Sequence, residues 1–356
     1  MFHPKNISPE KLKGRGTTIN PVNRFEPLAY ERDEYCDAVE DPAVTTEFFK
    51  DTSKSIISTN DSPDIGFAAS LNPYRGCEHG CIYCYARPTH EYFALSSGVD
   101  FESKIFVKED APQLLLKELA KPKWKPQVLV MSGVTDCYQP IERKLQITRR
   151  CLEVLGEFRN PVGIITKNHL VTRDIDILKP MTQYQGVVVN VSITSLDAKL
   201  ARVMEPRAST PENRLQAIRE LTQAGIPVNV MLAPIIPGLN EHEIPALLKK
   251  CVAAGAQSAA YVVVRLPYAV KDLFAQWLGQ HYPDRKEKVL NRIRALRGGK
   301  LNDPRFGERM GGQGIFAEQI DALFQAGCKK IGFKPRWPHL STEAFRNPYQ
   351  KQLTFF

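Results

Sequence analysis

"VLVMSGVTDCYQPIERKLQITRRCLEVLGEFRNPVGIIT", residues 128–166, reads as strand, helix, strand. The outer runs VLVM (128–131) and VGIIT (162–166) are short, apolar and bounded by turn residues, the pattern of strands buried on both faces. Between them, ERKLQITRRCLEVLGEF (142–158) spaces its apolar residues at helical intervals. Strand, helix, strand in succession is a parallel βαβ unit. The texture recurs in VVVNVSIT (187–194), VNVML (228–232) and AYVVVRL (260–266), with TPENRLQAIRELTQAG (210–225) as a helix that opens on Thr-Pro and closes on Gly225. Counting IGFAASL (65–71) and KIFV (104–107) gives six or seven units, short of a complete eight-fold barrel. The class is α/β. A partial (β/α)6 TIM-type barrel is expected, and a doubly wound open sheet fits the same alternation.

The rest of the chain is arranged around this core. Residues 1–60 mix charge, proline and polar residues without sustained periodicity and are expected to form an N-terminal arm. The core is assigned to 61–267, and 268–356 to an α-helical C-terminal extension interrupted by the glycine-bearing RALRGGKLNDPRFGERMGGQG. With 356 residues, 43% of them hydrophobic, the chain can build a full core. No run of eighteen apolar residues occurs and the N-terminus has no leader-like segment, so a cytoplasmic protein without a membrane span is expected. The formal charge of +9 points weakly toward a polyanionic partner.

The unusual residues fall where strands end, which in a barrel is the functional face. NPYRGCEHGCIYCYAR (72–87) carries Cys77, Cys81 and Cys84 in a C-x3-C-x2-C pattern, while Cys36, Cys137, Cys151, Cys251 and Cys328 stand alone. Eight cysteines in so long a chain are too sparse and irregular for a disulfide framework. Zinc usually takes two separated cysteine pairs, and here it would need His79 or His90 as fourth ligand. Three thiolates on an iron–sulfur cubane leave one iron free for a substrate or cofactor. Gly76, Gly80 and Pro73 mark the segment as a loop rather than a packed face.

This loop, with Tyr83 just before the third cysteine, resembles the radical S-adenosylmethionine (SAM) superfamily. TDCYQPIE (135–142), ITKN (165–168) and SITSLD…EPRAS (192–209) are similar to the branch related to spore photoproduct lyase, often labelled DNA-repair-photolyase-like. The superfamily resemblance covers roughly residues 65–266; the branch resemblance extends into GRGTTINPVNRFEP (14–27) and GKLNDPRFGERMGGQG (299–314). It implies a [4Fe–4S] cluster on Cys77, Cys81 and Cys84, with SAM chelating the fourth iron. Reductive cleavage of SAM then gives a 5′-deoxyadenosyl radical that takes hydrogen from the substrate. A reductant such as flavodoxin or ferredoxin is implied as partner.

Beside that pattern, Thr135 and Asp136 are placed to hold the methionine ammonium, with an Asx-type turn as the equal alternative. Lys167 matches the family lysine for the methionine carboxylate. Asn190 and Ser192, on the polar face of their strand, are expected near the ribose or methionine end, or in a satisfied buried hydrogen-bond pair. Glu205 and Arg207 are expected as a rim ion pair or cofactor contact, and the backbone about Ile235 as an adenine contact. The lyase pattern has a hydrogen-donating cysteine just upstream of the hydroxyl–Asp pair, where this chain has MSGV; Cys137, after the pair, is the substitute donor, with turn packing as its default role. The basic stretch 285–309 suits a nucleic-acid track or a solvated helix face, and carries no aromatic stacking platform. Three functions stay open: a radical enzyme on nucleic acid, one on a peptide or protein, and a zinc-dependent nucleic-acid-binding module.

Overall fold

The computed structural model describes residues 14–26, 44–333 and 338–349. Among them run strands β1 (Glu47–Lys50), β2 (Ile57–Thr59), β3 (Ala69–Leu71), β4 (Tyr74–Arg75), β5 (Lys104–Val107), β6 (Leu129–Met131), β7 (Val162–Thr166), β8 (Val187–Ser192), β9 (Val228–Ile235) and β10 (Ser258–Val263). The main sheet has the order β10-β9-β8-β7-β6-β3-β2. Six of its strands, β3 and β6 to β10, are parallel, and β2 is antiparallel on the β3 edge. The sheet does not close: β10 and β2 are its edges. This is the partial (β/α)6 arrangement.

KIFV is not one of the core strands. It is β5, which pairs in parallel with β1 and antiparallel with β4 in a separate three-stranded sheet. Its burial alternates, with Ile105 and Val107 inside and Lys104 and Phe106 partly exposed, whereas β8 is buried at every position. One-sided burial belongs to a small sheet with a single covered face, and continuous burial to a strand between helices and a barrel interior.

The helices cover the outside as their periodicity demands. Ile147–Phe158 buries Ile147, Cys151, Leu152, Val154, Leu155 and Phe158, a single stripe. Pro211–Gln223 begins under Thr210, whose hydroxyl caps Asn213 N at 3.3 Å. After β10 come the helices Val270–His281, Lys286–Leu296 and Ile315–Ile331. The glycine-bearing segment between the last two has a definite place. Val263 N on β10 donates to Met310 O at 2.8 Å, while Gly307 N and Arg309 Nε bind the Asp64 carboxylate at 2.7 and 2.6 Å, just before β3. It therefore straddles the gap between the two sides of the open sheet. Among the described residues no helix is long and apolar enough to cross a membrane.

Candidate active site

Beyond β3 and β4 the chain enters the cysteine loop, and two glycines determine its path. Gly76 (φ +76°) and Gly80 (φ +67°) adopt left-handed conformations, and a Cβ would come within 2.8 Å of His90 Cε1 and 2.7 Å of Glu102 Oε2 respectively. Arg87, fully buried, donates from Nε to Cys81 O at 3.0 Å and from Nη1 to Gly98 O at 2.9 Å, and pairs with Glu102. Glu102 in turn accepts from Gly16 N at 2.8 Å, tying the loop to the N-terminal arm. Glu78 N donates to Gln139 Oε1 at 2.9 Å and its carboxylate accepts from Ile141 N at 2.8 Å. A loop so fully hydrogen-bonded is a preformed scaffold rather than a flexible tether.

The three thiols share one electrostatic environment. Burial pushes each of them up, and Cys77 is raised further by Asp136, Cys81 and Cys84. Working the other way, the Asp136 backbone lowers the Cys77 pKa, the Arg87 charge and then the Ala86 backbone lower that of Cys84, and the Lys167 charge lowers those of both Cys81 and Cys84. Metal binding must displace thiol protons, and amide donors with nearby cations favour the thiolates that result. Among the described residues, no three His, Cys, Asp or Glu side chains converge on a point that could hold one ion.

Both histidines named as possible zinc ligands are engaged within the protein through at least one ring nitrogen. His79 lies between Asp136 and Asn168, with Nδ1 3.4 Å from the carboxylate and Nε2 3.3 Å from Asn168 Nδ2. His90 bonds Lys104 O at 2.8 Å inside a box of Phe93, Phe101 and Phe106. Burial lowers the His90 pKa to about 4. Its unfolded value is near 6.5, so between those limits the unfolded chain takes up a proton that the folded chain refuses. Stability is complete above pH ~6.5 and falls by about 3 kcal/mol as pH drops toward 4. Urea titrations at pH 7 and 4.5 should show this loss in the wild type, and His90→Phe should remove most of it.

Asp136 is occupied by the protein itself. Its Oδ1 accepts from Thr166 Oγ1 at 2.8 Å and from Tyr138 N at 2.9 Å, and its Oδ2 from Lys167 N at 2.7 Å. The Tyr138 bond is an Asx turn, the alternative reading of this residue. Burial acts to raise its pKa, but His79 and the two amides hold it down at about 2. Thr135 Oγ1 likewise donates to Tyr74 O at 3.2 Å. Both residues therefore brace the β6 exit, where Ser132 is left-handed (φ +94°) and accepts from Cys137 N at 3.1 Å. Three of the Asp136 carboxylate's roughly four acceptor positions are thus used within the protein.

Lys167 is placed differently. Its Nζ donates to Ala233 O at 3.3 Å and lies 5.9 Å from the Tyr83 ring, leaving ammonium protons unused beside the cysteine loop. The Tyr83 hydroxyl bonds Glu205, and Thr194 Oγ1 donates to the same oxygen at 2.6 Å.

Glu205 and Arg207 do not pair with each other. The partner of Glu205 is buried Arg214, whose Nε and Nη1 donate to Ser209 O at 2.8 Å and Ser192 O at 3.1 Å. Arg207 reaches the opposite way, to Glu78 at 3.1 Å. The two side chains leave a turn after helix Ala198–Met204 in different directions, so closeness in sequence misled the expectation. Arg214 left a readable signal, an arginine on the stripe shared with Ile218 and Leu221, where water cannot reach it.

Asn190 belongs to a buried polar ladder across four strands. Its Nδ2 donates to Ile164 O at 3.0 Å, Asn229 Nδ2 to Asn190 Oδ1 at 3.2 Å, and Ser258 Oγ to Asn229 Oδ1 at 2.6 Å. The Ser192 hydroxyl has no partner among the described residues. The backbone about Ile235 is spent: Ile235 O accepts from Val264 N at 2.9 Å and Ile236 N donates to Asn240 Oδ1 at 2.6 Å. Cys137 is buried in the main core near Tyr74, Glu142 and Asp174.

Exposed aromatic rings, several of them under arginines, come from segments distant in sequence. Arg265 lies over Tyr85 at 5.1 Å, Arg309 over Phe306 at 4.5 Å and Arg24 over Tyr268 at 3.6 Å, while Phe25 stacks on Tyr92 at 5.0 Å. These five rings are 48–71% exposed. Tyr85 follows the third cysteine directly, and its hydroxyl bonds Gly133 O at the β6 exit.

A half-open parallel barrel with a braced three-cysteine loop at its C-terminal mouth defines a class of cofactor-dependent enzyme. The family model for the Radical SAM superfamily matches residues 71–251, and the chain belongs to that superfamily. It is a radical SAM enzyme. An uncharacterized protein of Mycobacterium tuberculosis (strain ATCC 25618 / H37Rv) is 33% identical over 65% of this chain and 67% of its own length. An uncharacterized protein of Methanocaldococcus jannaschii is 29% identical over 69% of this chain and 88% of its own length. Spore photoproduct lyase complexed with dinucleoside spore photoproduct shares the fold, with a TM-score of 0.58 and 17% identity over 81% of this chain and 79% of that one.

Proposed function

We propose that this radical SAM enzyme acts on a nucleic acid, with a [4Fe–4S] cluster on Cys77, Cys81 and Cys84 and SAM beside Lys167. When bound, the pair supplies a 5′-deoxyadenosyl radical able to take hydrogen from an unactivated carbon. The chain's own residues do the rest. Lys167 offers its free ammonium protons to the methionine carboxylate of SAM. Tyr83, held by Glu205 and Thr194, fixes the loop between the second and third thiols. The Asp136 brace keeps the β6 and β7 exits in register with the loop.

The observation that carries the nucleic-acid reading is the exposed aromatic and arginine rim beside Cys84. Bases stack on such rings and on guanidinium planes without regard to sequence, while arginines meet phosphate. The charge of +9 agrees with it, as does the dinucleoside held by a protein of the same fold. Fluorescence anisotropy with a labelled single-stranded oligonucleotide tests it. Tyr85→Ala and Phe306→Ala should each weaken binding by about 1–3 kcal/mol, roughly five- to hundred-fold. Affinity should also fall steeply with salt. Equal binding by wild type and both variants, or label transfer to 5′-deoxyadenosine from a deuterated peptide and from no oligonucleotide, would overturn the reading.

A further inference from the structure

On the outer side of the cysteine loop lies a recess of about 550 Å³ that shares no residue with the aromatic rim. Its wall includes Arg15, Thr46, Phe48, Glu78, Lys144 and Arg207. Glu78 stands between Cys77 and Cys81, so the cysteine loop itself forms part of the recess. Among the described residues of the wall three cations face one carboxylate, already engaged by Arg207 and Ile141 N, and Glu102, which pairs with Arg87, also acts on Arg15. Arg15 Nη2 and Arg207 Nη1 converge on the same hydroxyl, Thr46 Oγ1, at 3.0 and 3.1 Å. Two guanidiniums held this close repel each other, and burial together with Arg207 lowers the pKa of Arg15. An acidic group arriving there would relieve the repulsion.

The surroundings suit a protein rather than a small anion. Phe48 and its neighbour Phe49 are 45% and 38% exposed on β1, and every residue of that strand is exposed. Arg143 and Lys144, both exposed, extend the cationic rim. A small apolar centre inside a ring of one charge is how weak, rapidly exchanging electron-transfer interfaces are built: complementary charge speeds encounter, and a modest area lets the partner leave.

We propose that this recess docks an acidic electron-carrier protein of the flavodoxin or ferredoxin kind, which delivers its electron across the cysteine loop. The proposal rests on the radical SAM reading of the loop. One electron leaves the reduced carrier and enters the centre held by Cys77, Cys81 and Cys84, and no bond is made or broken in the transfer.

The test titrates reconstituted protein with a purified acidic flavodoxin at low and moderate salt, reading complex formation by calorimetry, beside the variant Arg143→Glu/Lys144→Glu. Charge reversal should weaken binding about ten-fold or more, and raising the salt should weaken binding to the wild type. The ratio of flavodoxin-driven to dithionite-driven 5′-deoxyadenosine should fall in parallel. Equal affinity of wild type and variant overturns the proposal. So does displacement of flavodoxin from neither protein by salt, or a recess that takes inorganic phosphate or an oligonucleotide while flavodoxin binding is untouched by the charge reversal. Absence of 5′-deoxyadenosine from wild type reduced with dithionite would instead sink the radical reading, which the binding titration does not probe.

Discussion

Alanine at Cys77, Cys81 or Cys84 is expected to abolish iron and sulfide retention after anaerobic reconstitution, and with it all 5′-deoxyadenosine formed on reduction in the presence of SAM. Each thiolate would bond a separate corner of the cluster, so two remaining ligands cannot hold what three do. Among the described residues, no other cysteine belongs to the loop. Cys137 and Cys151 are buried in the main core and Cys251 lies within it on helix Ile244–Ala253. Cys151→Ala and Cys251→Ala, which touch only packing, should therefore keep their iron. Iron and sulfide analysis with the visible absorption of the reconstituted protein reads the first effect, and chromatography of the nucleoside product the second. Full iron loading of a Cys81→Ala protein, or stoichiometric zinc in the wild type without iron or sulfide, contradicts the assignment.

The strands and their order were legible because burial on both faces writes continuous apolar runs, and such runs recur through β6, β7, β8 and β9. KIFV has the same composition over four residues, and nothing local distinguishes a barrel strand from one leaning on a small side sheet. The cysteine loop was legible because its chemistry is compressed into eight positions. The contacts around it were not, since they join residues far apart in sequence: Arg87 to Glu102 and Gly16, Glu78 to Arg207, Glu205 to Arg214. Polar residues at strand ends announce a functional mouth but do not say which of them the protein uses to hold itself together. Asp136 and Thr135 brace the β6 exit through bonds within the protein, whereas Lys167 makes one side-chain hydrogen bond among the described residues. The pairing of exposed rings with arginines was invisible for the same reason, because Tyr85 meets Arg265 and Tyr268 meets Arg24 only in the folded chain.

The second large effect concerns the buried pair Glu205–Arg214. Glu205 accepts from Tyr83 and Thr194 through one oxygen and from Arg214 through the other, and Arg214 also donates to Ser209 O and Ser192 O. Each charge is thus compensated, and the geometry repays desolvation that would otherwise be prohibitive. Glu205→Gln leaves an uncompensated guanidinium inside the protein and should cost about 3–5 kcal/mol, read as a lower urea midpoint. Replacing both partners, as Glu205→Leu/Arg214→Met, removes the charge imbalance and should cost less than either single change. The pair also sets the acid limit of the fold. Burial acts to raise the Glu205 pKa, but Arg214 first and then Lys167 bring it to about 2. Its unfolded value is near 4.3, so the carboxylate contributes about 3 kcal/mol that is fully present above pH ~4 and lost as pH falls toward 2. This window lies below the one set by His90, and the two should separate as successive losses in an acid titration. Because Tyr83 hangs from Glu205, Glu205→Gln should also release iron faster than the wild type under a chelator at pH 7, where global unfolding is negligible in both. Identical chelation rates would detach the buried pair from the cysteine loop and leave it a purely structural element of the barrel wall.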